Sequence, residues 1–158
     1  MKRFIFYIII AFVSIVYVSQ ASSIATTSNE EVIVYDGGID SVRMNGELKN
    51  PIKNLATSIS TNTDGTINLN LPPFKVGKMP GSIAIDAKGI KVDDKGEFNA
   101  MVKKSMLFKM LFETKYDTKI VGRIVADTLV YSVATIDAKY VGVGIDTKMQ
   151  FLGIVDKY

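Results

Sequence analysis

At 158 residues the chain has room for one core. It carries neither histidine nor cysteine. That excludes Ser-His-Asp and Cys-His nucleophile systems, zinc sites of the usual His/Cys type and any disulfide framework. The net charge of +3 and the pI of about 9.0 look basic. Removing Lys2 and Arg3 from the 19 basic residues, however, leaves 17 against 16 acidic ones. The remaining charges are interspersed rather than gathered on one face, so no nucleic-acid partner is expected.

The chain opens with Lys2 and Arg3, an apolar run from Phe4 to Val18, and small residues at Ser19 and Ala21. This is the order of a secretory signal peptide cut after Ala21, with a second possible site at Ser23-Ile24-Ala25. A membrane anchor is the competing reading, but the run falls short of the roughly 20 residues that cross a bilayer. The expected division is a signal peptide over 1–21, a polar leader over 22–30 and one domain over 31–158. The protein is therefore expected to be exported.

From Glu31 onward the pattern is one of strands. Glu31 to Tyr35 is a first short strand, closed by a turn at Asp36-Gly37-Gly38. Ser41 to Lys49 follows, with Val42, Met44 and Leu48 assigned to one face, and Asn50-Pro51 breaks it. Asn54 to Thr61 points Leu55 and Ile59 inward. Asp64-Gly65 is a strong hairpin signal.

The central stretch then alternates Ile67, Leu69 and Leu71 with Asn68 and Asn70, the period of a strand with one wet face. A Pro/Gly-punctuated link (residues 72–81) leads to a strand with Ile83, Ile85 and Ala87 on one face and a bulge expected at Gly89. The Asp93–Gly96 turn returns the chain through Phe98, Ala100 and Val102. Ser105 to Phe112 could be a short helix, a buried strand or a flap, and its period does not choose.

Thr118 to Val125 and Thr128 to Ala138 read as strands around a tight Ala126-Asp127 turn. After the Val141–Gly144 bend, Ile145, Thr147, Met149 and Phe151 alternate with polar residues. About eight antiparallel strands with short connections favour an all-β, up-and-down barrel, which has no exposed edges, over a two-sheet sandwich.

The order of these features resembles the calycin-like (lipocalin-like) domain of exported Bacteroidetes proteins. The residues that carry it are the Asp64-Gly65 turn before Leu69, the Gly77-Lys78-Met79-Pro80 link, the strand from Asp127 to Asp137 and the closing Phe151. The parallel runs from about Val42 to Gly153. It implies an export signal followed by an eight-stranded barrel, and it brings no catalytic or binding residues with it. The Gly-x-Trp of true lipocalins is missing, since the chain has no tryptophan.

Chemistry is sparse. No Ser or Thr stands three positions before a Lys, and the Val141–Gly144 bend leads into a strand rather than a phosphate-binding helix N-terminus. Asp93, Asp94 and Glu97 cluster, but Lys95 sits among them and a hairpin turn accounts for them. Asp40-Ser41-Val42 and Asp127-Thr128-Leu129 resemble short O-glycosylation sites of such bacteria and equally suit turn-to-strand junctions. No enzyme, cofactor or metal is expected.

The aromatic and methionine residues Phe74, Met79, Met106, Phe108, Met110 and Phe112 fall in two irregular apolar segments. Of these, Phe74, Met79, Met106, Phe108 and Phe112 are the candidate contacts for a small apolar molecule in or at the mouth of the barrel. Two other readings stay open: the same side chains plug the barrel as core, or form a flap on a membrane surface. The alternative function is a structural or protein-interaction module with a filled barrel, and a packed interior would point to it.

Overall fold

The computed structural model describes residues 31–155, and every regular element among them is a strand. The expected signal peptide and leader lie outside the described residues. The strands are β1 (Val32–Met44), β2 (Glu47–Lys49), β3 (Ile52–Thr61), β4 (Ile67–Phe74), β5 (Ser82–Ile90), β6 (Glu97–Lys109), β7 (Glu113–Val125), β8 (Thr128–Thr135), β9 (Lys139–Tyr140), β10 (Val143–Gly144) and β11 (Thr147–Val155). The ladder runs β1-β3-β4-β5-β6-β7-β8-β11, and β11 pairs again with β1. Eight antiparallel strands in up-and-down order therefore close into a barrel, as the alternation implied. The short β2 folds back on β1, and β9 with β10 forms a separate hairpin.

The alternation places the core. Ile67, Leu69, Leu71, Ile83, Ile85, Ala87, Ile120, Leu129, Tyr131, Val133, Met149 and Phe151 all point into the barrel and are buried. At about 1.5–3 kcal/mol for each large apolar side chain, this shared interior is the main stabilising term.

Two first-strand assignments need correcting. Gly37 and Gly38 do not turn the chain, and β1 runs straight through them. The glycines serve close approach instead. A side chain on Gly37 would collide with the Leu152 carbonyl of β11, and one on Gly38 would come within 2.6 Å of the Ile52 carbonyl of β3. The turn lies further on, at Asn45 and Gly46, both at positive φ (50° and 83°). That turn reverses the chain and pairs Leu48 with outward-facing Arg43, so Leu48 is exposed rather than sharing a face with Val42.

The ambiguous stretch resolves into strand and tip. β6 runs to Lys109, Met110–Phe112 form the turn, and β7 starts at Glu113, earlier than the expected Thr118. β8 stops at Thr135, short of Ala138. The bulge near Gly89 is present, since Ile67 pairs with Ile90 and Leu69 with Ala87. Asp93 spends its carboxylate on the turn, accepting from the amides of Lys95 (2.9 Å) and Glu97 (2.8 Å).

One seam in the wall is only half stitched. β5 pairs with β6 over Ser82–Ile85 against Met106–Lys109, and the ladder stops there. Beyond it a surface cleft of about 450 Å³ separates Asp86–Gly89 from Ala100–Lys104. Lys88, Lys103 and Lys104 line that cleft, the kind of charge that keeps a bare strand edge from pairing with another chain.

Candidate functional site

Antiparallel order brings four connections to one end of the barrel: the β1–β2 turn, the β4–β5 link (residues 75–81), the β6–β7 tip and the β8–β11 connection that carries β9 and β10. This rim holds three of the five candidate residues as part of a cap. Phe74 pairs with Ile83, and Ile83 pairs with Phe108, so the ends of β4, β5 and β6 meet there. Phe74 and Phe108 are buried, as is Val76, and Met79 is half-buried. Met106 sits one layer deeper, buried between Ile85 and Tyr116 in register. Phe112 is the exception: it stands outside the cap, 69% exposed, beside Leu111 at 83%.

Two tyrosines missed by sequence reasoning hold the rim together. Tyr140 stands edge-on to Phe108, with ring centres 5.2 Å apart. Its phenol oxygen accepts the amides of Leu111 (3.2 Å) and Phe112 (3.3 Å). The Tyr116 hydroxyl donates to the Lys139 carbonyl (2.9 Å) and so ties β7 to β9. Burial pushes the Tyr116 pKa above its ordinary value. No sequence signal picks out these tyrosines, because their partners lie more than 20 residues away.

Below the rim the interior is taken up by side chains. Four of its hydroxyls form two pairs: Thr57 with Tyr131 (2.9 Å) and Ser105 with Thr118 (2.7 Å). Thr147 Oγ1 is the one buried side-chain polar atom without a partner among the described residues.

The cavities open to the outside. At the rim, a cleft of about 420 Å³ lies between Met44 and the Val76–Met79 link, with Asn45, Glu47 and Lys49 beside it. On the outer wall, a groove of about 550 Å³ crosses β6, β7 and β8, where Glu97 faces Arg123 in register and Val121, Val130, Ser132 and Gln150 lie alongside.

A closed up-and-down barrel of eight strands is the architecture of more than one family, so the sequence match decides among them. Residues 33–154 match the family model of the calycin-like beta-barrel domain. The chain belongs to that family. Comparisons with curated proteins and with solved structures found no match. In this calycin-like barrel the matched span reaches all eight closing strands, from the second residue of β1 to the last but one of β11.

Proposed function

We propose that this calycin-like protein is an exported, non-enzymatic interaction module whose barrel is a filled scaffold and whose recognition surfaces are the rim and the outer wall. The observation that carries this is the packing of the interior. Ile39, Val42, Leu69, Leu71, Ile83, Ile85, Ile90, Ile120, Leu129 and Phe151 have no exposed surface, so no water-sized space adjoins them. A pocket for a small apolar molecule would instead leave apolar side chains lining a void.

The basic, apolar, small-residue order of residues 2–21 supports export. The lack of histidine and cysteine, together with a barrel interior whose buried polar side chains are all hydroxyls, supports a role without catalysis.

A second reading rests on the rim cleft. Met79 is half-buried there beside Met44 and Val76, and methionines adapt to irregular apolar ligands. In that version the protein holds a small apolar molecule at the mouth rather than inside, and of the five candidate residues Met79 is the one in contact.

Titration with a fluorescent fatty acid separates the two. The filled scaffold is expected to give no saturable binding. Saturable binding that Met79→Ala weakens would replace it with the mouth-binding version. Saturable binding that Ile85→Val weakens instead would overturn the packed-interior argument.

A further inference from the structure

We infer that the rim tip is a docking element for an anionic lipid surface. The inference goes beyond the scaffold reading and does not need it.

Besides Leu48 (67% exposed) next to the β1–β2 turn, three large apolar side chains stand out on two joined turns at this end: Leu111 (83%) and Phe112 (69%) on the β6–β7 tip, and Val141 (79%) on the β9–β10 turn. Single exposed apolar residues are ordinary on protein surfaces. What sets these apart is how the backbone beneath them is built. The Tyr140 hydroxyl takes the amides of both Leu111 and Phe112, and the Met110 amide is bonded to the Phe112 carbonyl (3.3 Å). Three consecutive amides at the tip are therefore satisfied without water. Moving an unpaired amide out of water costs several kcal/mol in a membrane-like environment, and this tip avoids that cost. Tyr140 also locks the two turns together, since it directly precedes Val141.

The surrounding charge names the surface. Lys109, Lys115 and Lys139 flank the tip, and Lys75 and Lys78 lie on the β4–β5 link, whose Gly81 packs on the Lys109 carbonyl. Glu113, Asp137 and Asp146 are the acidic residues beside them, and Glu47 is paired with Lys49, so these five lysines face three carboxylates and the rim stays net basic. The side-chain ion pairs among the described residues, Lys49–Glu47 and Lys88–Asp86, do not involve any of these lysines. Lysines around an apolar tip keep their ammonium groups in the headgroup layer while the tip enters it. A second copy docking by the same end would set two basic rims against each other, so charge selects the lipid.

The chain has no tryptophan, which makes a direct test possible. Phe112→Trp reports from the tip, and Val125→Trp reports from an exposed position at the opposite end of the barrel. Each variant, as the chain from Ser22 onward so that the apolar run of residues 4–18 does not itself enter the bilayer, is titrated with phosphatidylcholine vesicles with or without phosphatidylglycerol, using brominated acyl chains as quencher. Phe112→Trp is expected to blue-shift and be quenched on the anionic vesicles alone, while Val125→Trp is unchanged. Lys109→Gln with Lys139→Gln should raise the lipid concentration at half-maximal quenching roughly 30-fold, at about fivefold per lysine. Tyr140→Phe, which frees the tip amides, should weaken quenching with both lysines intact.

Equal quenching at the two positions overturns the inference, because the contact would then come from elsewhere in the chain. Equal response to neutral and anionic vesicles overturns it too. So does a stable dimer in light scattering that Leu111→Ser with Phe112→Ser abolishes, since a second copy would then be the occupant.

Discussion

The buried hydroxyl pair Thr57–Tyr131 offers the sharpest test of how the interior is held. Tyr131 is 1% exposed, stacks on Phe151 with ring centres 5.1 Å apart, and shares one hydrogen bond of 2.9 Å with fully buried Thr57. Tyr131→Phe keeps the ring packing but strands the Thr57 hydroxyl, which should cost about 1–3 kcal/mol. Thr57→Val strands the phenol and should cost a similar amount. The double variant leaves neither group unpaired and should lie close to wild type. The coupling energy from urea unfolding would then be about as large as the two single effects combined. Simple additivity would refute the claim that these two groups satisfy each other.

The same pair makes a pH prediction. Burial raises the Tyr131 pKa well above the ordinary tyrosine value of about 10. The folded state therefore keeps a proton that the unfolded chain releases. The contribution is full below about pH 10 and is lost as pH rises above it, by up to about 1.4 kcal/mol per pH unit. Burial also raises Tyr35 and Tyr116, with the Asp127 charge adding to the effect on Tyr35, so their slopes have the same sign. Tyr131→Phe should flatten the alkaline limb without abolishing it.

Three further outcomes are expected. Gly37→Ala should destroy the β1–β11 closure, whereas Gly46→Ala, with open space but positive φ, should cost only about 1 kcal/mol; thermal melting that ranks them equally would refute the close-approach argument. Phe151→Ala should destabilise by about 3–5 kcal/mol in urea and open a dry void that takes up xenon, which the intact barrel should not do. Hydrogen exchange should be faster at amides of Asp86–Ile90 that face the half-stitched seam than at those of Val130–Val133 bonded on both sides, and equal protection would mean the seam is closed in solution.

Much of the fold was legible because a barrel strand has one wet face. Ile67–Leu71 and Thr147–Phe151 alternate cleanly, and every apolar position in them is buried. The failures came where a glycine has two uses. Gly37-Gly38 resembles a turn, but the need for it comes from Leu152 and Ile52, which are distant in sequence. Leu48 went to the wrong face because a single reversal at Asn45-Gly46 changes which side every later residue takes.

The candidate residues were drawn from two segments that do converge, since Phe74, Met79 and Phe108 share the rim. Composition could not tell Phe108, under Tyr140, from Phe112, four residues on and facing outward. The outer groove was illegible altogether. It depends on Glu97 standing opposite Arg123, a matter of register that no local pattern states.

The closing ladder joins the first and last strands of the described residues: Tyr35 faces Val155, and Met44 faces Thr147. β1 cannot find one of its two neighbours in the barrel wall until β11 has appeared. Contacts so far apart along the chain make for slow assembly. The nascent barrel should therefore remain an open, unzipped ribbon until its eighth wall strand emerges.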